Sequence, residues 1–198
     1  MKALQSKVLK TKSSILRPFT MNDAEAMFSE WCQDPKVTEF LSWDPHTSIE
    51  MTKAILKLWI DAYNTKHTYR WAIVSPQTHK VIGSIDCVKF NEHHERAEIG
   101  YALSRSYWNQ GIMTDALHAV MHFLFTEVGV NRIMARHYLA NPKSGRVMEK
   151  CDMVKEGIFR EFHKAKDGTY LDMVQYGIIK KDYIRHIDYK ESKNEPNY

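Results

Sequence analysis

The sequence is poor in the residues that mark linkers, disulfide frameworks and membrane segments. Its 198 residues include only 8 glycines and 6 prolines, well below the roughly 12% of average usage, so we expect no long flexible linker. The 3 cysteines are too far apart in the sequence for a zinc or redox motif, and they indicate a reducing, cytoplasmic location. No run of six apolar residues occurs. We therefore expect neither a transmembrane span nor a signal peptide.

The chain beyond the N-terminus also lacks an excess of positive charge. The formal net charge is +4. Five basic residues precede the first acidic residue: Lys2, Lys7, Lys10, Lys12 and Arg17. The rest of the chain is near neutral, whereas a nucleic-acid-binding surface needs a stripe of positive charge. We expect neither a nucleic-acid nor a membrane partner.

The remaining composition is that of a compact globular protein. Hydrophobic residues make up 43% of the chain, aromatic residues 12% and charged residues 26%. A chain of this size buries about 70% of its unfolded surface, which supports a core without disulfides. We predict one domain over residues 14–180, preceded by a basic segment at 1–13 and followed by a polar tail at 181–198 that frays.

Apolar periodicity and capping residues predict three helices. Residues 20–23 (Thr-Met-Asn-Asp) and 47–50 (Thr-Ser-Ile-Glu) each have the spacing of a capping box before an apolar helical face. The longest apolar face covers residues 113–128 and ends at Gly129. This third helix is predicted to pack on a sheet.

Six segments have the composition and alternation of strands: residues 69–74, 80–90, 96–103, 132–139, 154–162 and 169–179. Short polar turns join the first three, which predicts an antiparallel meander. The fourth follows the long helix, and a right-handed crossover would make it parallel to the third. After the fourth strand, Asn141 and Pro142 have the pattern of an N-cap and first residue of a short helix.

Gly111 lies between the third strand and the long helix. The first turn of a helix presents unpaired N–H groups and a positive dipole end, and glycine lets the backbone approach a bulky anion. The arrangement fits an anion site, and it equally fits a plain loop that needs a positive φ. A Walker loop is excluded because no Gly-Lys-Ser/Thr occurs. A dinucleotide-binding fold is disfavoured because no G-x-G-x-x-G follows a strand.

Seven short motifs occur together in this chain: Leu16-Arg-Pro-Phe-Thr20, Asp23-Ala24, Glu98-Ile-Gly-Tyr-Ala-Leu103, Tyr107-Trp-Asn-Gln-Gly-Ile-Met-Thr-Asp-Ala116, Asn141-Pro-Lys-Ser144, Met148-Glu-Lys-Cys151 and Glu156-Gly157. Taken together, they resemble the GNAT acetyltransferase superfamily, and most of all its branch named for ribosomal-protein N-terminal alanine acetyltransferases. The resemblance extends over residues 14–180. Two positions depart from the family pattern: Met113 replaces a small residue, and Asp152 replaces a glycine.

The resemblance implies an α/β fold with a mixed, mostly antiparallel sheet, flanked by helices and splayed between strands 96–103 and 132–139. Acetyl-CoA would lie in that opening as the acetyl donor, CoA would be a product, and no metal would be needed. The implied acetyl-CoA-binding residues lie on the third strand, the loop after it and the two later helices: Tyr101, Ala102, Leu103, Trp108, Asn109, Gln110, Gly111, Ile112, Met113, Thr114, Asn141, Ser144 and Arg146.

Acetyl transfer to an amine requires a neutral amine. An α-amine, with a pKa of about 7.8, is partly neutral near pH 7.5, whereas a lysine amine, with a pKa of about 10.4, is almost fully protonated. A carboxylate acting directly or through a water is therefore a sufficient base. Glu98 is the first candidate because strand alternation places it on one face with two small residues, Gly100 and Ala102. The alternative is a structural ion pair with Arg132 or Arg136.

Four further side chains are candidates for chemistry or acceptor binding. The resemblance implies that Ser144 assists the departing thiolate, although a helix-capping role is equally compatible with its position. Glu161 and His163 fall where relatives place a further base. Trp43 is a candidate for the wall of the acceptor pocket, with core packing as the alternative.

The predicted enzyme transfers acetyl directly from acetyl-CoA to a primary amine, first of all the N-terminal α-amine of a protein or peptide such as a ribosomal protein. A polyamine or antibiotic amine is the alternative acceptor, and it would need the acidic residues Glu39, Asp44 and Glu50 to converge. A CoA-binding module without turnover is the alternative from another class. The sequence is compatible with a monomer or a homodimer.

Overall fold

An eight-stranded sheet forms the centre of the computed structural model, which describes residues 6–165 and 167–185. In chain order the strands are β1 (Leu9–Lys10), β2 (Ile15–Arg17), β3 (Arg70–Val74), β4 (Val81–Asn91), β5 (Arg96–Leu103), β6 (Arg132–Tyr138), β7 (Val154–Lys164) and β8 (Tyr170–Ile179). Their order across the sheet is β1-β2-β3-β4-β5-β6-β8-β7. Each neighbouring pair is antiparallel except β5 and β6, which are parallel.

Helices cover both faces of the sheet. They are α1 (Ala24–Met27, continued by a π-helical turn at Phe28–Cys32), α2 (Pro35–Thr38), α3 (Ile49–Asp61), α4 (Ile112–Phe123, continued by a π-helical turn at Leu124–Val128) and α5 (Pro142–Lys150). On β3, Trp71 and Ile73 pack in one core with α4. Ala72 and Val74 alternate to the other face and pack in a second core with α1 and α3.

The predicted long helix and its crossover are confirmed. The helix ends at Gly129, whose φ of 89° is the left-handed conformation that glycine adopts without strain. Strand β5 has the predicted bounds, and β6 runs parallel to it. At α3 the predicted cap is wrong by one residue: the N-cap is Ser48 rather than Thr47, and the Ser48 hydroxyl accepts a hydrogen bond from the N–H of Met51. Asp152 adopts a positive φ of 61°.

Strands β1 and β2 and helix α2 were not predicted from the sequence. Two or three strand residues are too few to show alternation, and one turn of helix shows no periodicity. Tertiary contacts hold Ser6 and Lys7, shortly before β1, in place. The Ser6 hydroxyl accepts from the N–H of Arg70, and the Trp71 indole donates to the carbonyl of Lys7.

The expected fraying after Lys180 is wrong for the part of the tail that the structure describes. Residues 180–185 are helical. Tyr183 is buried and stacks on Phe125, with ring centroids 4.7 Å apart. The hydroxyl oxygen of Tyr183 lies 3.1 Å from Nδ1 of His122. A single aromatic residue in a polar segment gives no periodic signal.

Residues 1–5 and 186–198 lie outside the described residues. None of the described helices is long and apolar enough to cross a membrane.

Candidate active site

Strands β5 and β6 diverge along their length and leave an opening in the sheet. They pair at four positions, from Arg96 with Arg132 to Ile99 with Ala135. Beyond these positions β5 remains paired with β4, and β6 remains paired with β8. The two facing edges therefore present backbone N–H and C=O groups that are no longer paired with each other. The predicted splay is confirmed.

An ion pair joins the two strands at the start of this opening, on one face of the sheet. Oε1 of Glu98 accepts hydrogen bonds from Nε and an Nη atom of Arg136, at 2.9 and 2.5 Å. Only 13% of the Glu98 side chain and 14% of the Arg136 side chain are exposed. The Phe162 ring lies 4.7 Å from the guanidinium. Of the two structural partners expected for Glu98, Arg136 is the one present, because Arg132 pairs with Glu156.

A hydroxyl pair joins β5 to α5, the helix that follows β6, on the opposite face. The Ser144 hydroxyl donates to the Tyr101 hydroxyl at 3.1 Å, and the Tyr101 hydroxyl donates to the Ser144 carbonyl at 3.0 Å. Burial raises the pKa of Tyr101 far above its ordinary value, so the phenol stays protonated at neutral pH. The Ser144 side chain contacts Tyr101, and no side chain caps α5. Tyr101 was predicted to bind acetyl-CoA, but its pair with Ser144 was not predicted, because the two residues are 43 positions apart in the sequence.

The loop before α4 presents backbone rather than side chains. Asn109 and Gly111 adopt positive φ values of 61° and 80°. A Cβ atom on Gly111 would meet nothing within 4 Å, so backbone conformation rather than crowding requires glycine here. The side chains of Ile112 and Met113 are each only 6% exposed and pack in the core. Their N–H groups belong to the first turn of α4, which has no intrahelical acceptors.

Trp108 fixes the outer end of the opening. Its indole donates to the carbonyl of Leu103 at 2.7 Å. Lys143, in the first turn of α5, lies over the Trp108 ring with its amine 5.5 Å from the centroid. This contact links the loop after β5 to the helix after β6. Lys143 was not expected from the sequence, because no motif marks it.

Other predicted cofactor-binding residues are engaged within their own elements. Gln110 donates to the carbonyl of Ser106, and the carbonyl of Asn141 accepts from the N–H of Ser144. Arg146 pairs with Glu149 on the same helix, at 3.3 Å, and is 79% exposed. Ala102 packs in the second core. The carbonyl of Thr114 lies 3.5 Å from the thiol of Cys151, which links α4 to the residue after α5.

A pocket of about 430 Å³ lies beside Glu98. The charged residues of its lining are Lys89, Arg96, Glu98 and Arg136. Glu39, Asp44 and Glu50 are not part of this lining. Trp43 is not part of it either, since its ring packs on Trp31 and His46.

Aromatic rings gather at the end of β6. Tyr138 contacts Phe40 at 6.1 Å and His163 at 5.4 Å between ring centroids. His163 thus lies close to the opening, whereas Glu161 is exposed at a bulge of β7 and its N–H donates to Asp172. Phe40 was not expected from the sequence. Within residues 6–165 and 167–185, no group of three or more His, Cys, Asp or Glu side chains is placed to hold a metal ion.

Comparison with known proteins identifies the family. The sequence model of the family described as the acetyltransferase (GNAT) domain matches residues 14–154 of this chain. The N-acetyltransferase p20 of Bacillus licheniformis is 29% identical over 175 residues, covering 88% of this chain and 97% of that protein. YoaA of Bacillus subtilis is 32% identical over 173 residues, covering 87% and 97%. The chain belongs to the GNAT family, and it is an acetyl-CoA-dependent N-acetyltransferase.

Related proteins with named acceptors differ from one another. A spermidine N(1)-acetyltransferase of Vibrio cholerae is 24% identical over 129 residues, which is 63% of this chain and 73% of that protein. The ribosomal-protein-S5-alanine acetyltransferase of Vibrio fischeri superposes with a TM-score of 0.78 at 20% identity, covering 90% and 99%. The microcin C7 self-immunity acetyltransferase MccE, solved with acetyl-CoA and AMP, gives a TM-score of 0.76 at 18% identity, covering 85% and 93%. These names therefore do not identify the amine that this chain acetylates.

We predict that Gly111→Val weakens CoA binding. Valine is strained at a positive φ, and its side chain would occupy the space in front of the first turn of α4. CoA at a hundredfold excess over its Kd stabilises a folded protein by about 2.7 kcal/mol and so raises its Tm. This CoA-induced rise in Tm should fall sharply in the variant.

Gly129→Val is the matched control for this experiment. Gly129 also has a positive φ and open space around its Cα, but it follows the other end of the same helix. The control should lose stability to a similar degree and keep the CoA-induced shift. A folded Gly111→Val protein that keeps the full shift would contradict the assignment of this loop.

Proposed function

We propose that acetyl-CoA binds in the opening between β5 and β6 and that the chain transfers its acetyl group to the N-terminal α-amine of a peptide or protein. The divergence of these two strands is the observation that supports this most. It places a hydroxyl pair on one face of the opening and a carboxylate on the other. A hydroxyl group can stabilise the departing thiolate, and a carboxylate can take the proton from the amine.

Backbone groups along the opening support this position of the acetyl donor. The amides of the pantetheine arm match the unpaired edge of residues 101–103 on β5. The pyrophosphate matches the left-handed loop at Gly111 and the first N–H groups of α4, including those of Ile112, Met113 and Thr114. Asn141 and Ser144 then lie at the thioester end. Arg146 remains a candidate for a phosphate contact, because an exposed pair such as that with Glu149 contributes little stability.

Glu98 is the group proposed to take the proton from the amine. Both hydrogen bonds from Arg136 end on Oε1, so Oε2 retains its acceptor capacity for the amine or a bridging water. Arg136 holds the carboxylate in place and is itself held by Phe162. His163 is the second candidate for this role, because it lies beside Tyr138 at the end of β6.

Ser144 is proposed to stabilise the departing thiolate by turning its single hydroxyl proton from the Tyr101 oxygen to the sulfur. A hydroxyl donor strengthens its hydrogen bond when the acceptor becomes an anion. Tyr101 acts as a positioning residue, because its phenol holds both the carbonyl and the hydroxyl of Ser144. A thiol with a pKa near 8.5 is a fair leaving group. We therefore expect this pair to lower the barrier to thiolate departure only modestly.

The charge of the pocket favours an α-amine over a polyamine. A polyamine carries several positive charges and needs an acidic pocket. Glu98 is the one acidic residue of the described lining, and it is paired with Arg136. Glu39, one of the three acids expected to converge for a polyamine, pairs with Lys36 instead. An α-amine also needs little base strength, because its pKa of about 7.8 lies near neutral pH.

We predict that Glu98→Gln keeps acetyl-CoA affinity and loses roughly 10²–10⁴-fold in kcat/KM at neutral pH, the usual contribution of general acid–base catalysis. The loss should shrink toward pH 9.5, because the acceptor is then already deprotonated without help. The measurement is kcat/KM from pH 6.5 to 9.5 on an alanine-initiated hexapeptide.

Glu156→Gln is the matched control for Glu98. It removes the carboxylate of the neighbouring ion pair with Arg132 and should leave the pH profile unchanged. If Glu98→Gln instead lowers Tm and CoA affinity together, without recovery at high pH, Glu98 is a structural residue. The base would then have to be sought at His163.

We further predict that Tyr101→Phe, Ser144→Ala and the double variant lose similar factors in kcat, roughly 10- to 100-fold, which corresponds to a hydrogen bond to a charged group. Residues that act as a unit give such non-additive losses. CoA affinity should stay unchanged in all three variants. Losses that multiply in the double variant would show that the two hydroxyls act independently.

A further inference from the structure

The pocket beside Glu98 holds more positive charge than amine deprotonation requires. Lys89 lies directly opposite Glu98 in the β4–β5 register, so both side chains are on one face of the sheet. Arg96 lies two residues before Glu98 on β5 and shares that face by strand alternation. Both cations are exposed and both line the pocket.

Among the described residues, these two cations differ from their basic neighbours in having no acidic partner. Arg136 pairs with Glu98, and Arg132 pairs with Glu156. In the parts of the chain that the structure describes, the side chains of Lys89 and Arg96 enter no ion pair. The lining therefore carries a net charge of about two positive units, which attracts an anion and repels a polycation.

The spacing limits where that anion lies relative to the reacting amine. Residues two apart on a strand are separated by roughly 7 Å. A peptide extends at most ~3.6 Å per residue. An α-amine at Glu98 thus places the second or third residue of an extended acceptor near Arg96. Lys89 lies opposite Glu98 on β4 and is the diagonal neighbour of Arg96, so its long side chain can reach the same acceptor residue.

We propose that the acceptor peptide carries an acidic side chain at its second or third residue and that Lys89 and Arg96 bind it. The inference rests on the proposed peptide acceptor and adds its sequence preference. The carboxylate interacts with both cations at the pocket mouth while the amine faces Glu98. Charge at this position selects among peptides that present the same N-terminal residue.

The test uses three hexapeptides that begin with alanine and differ only at residues two and three, which are both Asp, both Asn or both Lys. Wild type should follow the order Asp, Asn, Lys in kcat/KM, with roughly tenfold between the first and the last at low salt. Added salt should compress the range, because these charges are exposed. The double variant Lys89→Glu, Arg96→Glu should reverse the order.

Lys53→Glu is the charge-matched control. Lys53 is an exposed residue of α3 that does not line the pocket, and its variant should keep the wild-type order. Thermal melts with CoA confirm that each variant is folded and binds the donor. A reversed order under these conditions assigns the preference to Lys89 and Arg96.

Three outcomes overturn the inference, and they are distinguishable. Equal kcat/KM for the three peptides, or an unchanged order in the double variant, removes the acidic preference while leaving the proposed function intact. A higher kcat/KM for O-phosphoethanolamine than for the Asp peptide assigns the cations to a small phosphorylated amine. No acetylation of any peptide, with a normal CoA-induced shift in Tm, overturns the peptide acceptor itself.

Discussion

The end of parallel pairing after Ile99 and Ala135 is the constraint on which the site depends. Buried backbone groups need hydrogen-bond partners, so two strands that separate inside a sheet leave edges suited to another extended molecule. Strands β4 and β8 hold the outer edges of the diverging pair. The opening is thus a fixed feature of the sheet rather than a gap between mobile loops.

Strand alternation lets β5 supply different chemistry to the two faces of this opening. Glu98 points to the face with the charged pocket, and Tyr101, an odd number of residues away, points to the face with α5. Each side chain contacts a group carried by β6 or by the helix that follows it, namely Arg136 and Ser144. Acetyl transfer is proposed to need proton removal from the amine and stabilisation of the thiolate. Each of these two steps involves a side chain of β5.

Local patterns predicted the frame of the site but not its contacts. The bounds of β5, the α4 crossover and the conformational role of Gly111 follow from alternation, periodicity and backbone preference. The choice of Arg136 over Arg132 as partner of Glu98 depends on the register of two strands distant in sequence, which no local pattern encodes. The Tyr101–Ser144 pair and the contact between Phe40 and Tyr138 were missed because each joins side chains that are far apart in the sequence.

Amide hydrogen exchange with and without CoA tests the central claim most directly. If the donor binds in the opening, exchange should slow at residues 101–103 of β5 and at residues 112–114 in the first turn of α4. The edge strand β7 should exchange at the same rate in both states. Protection confined to α1–α3, with residues 101–103 unchanged, would contradict the proposed position of the donor.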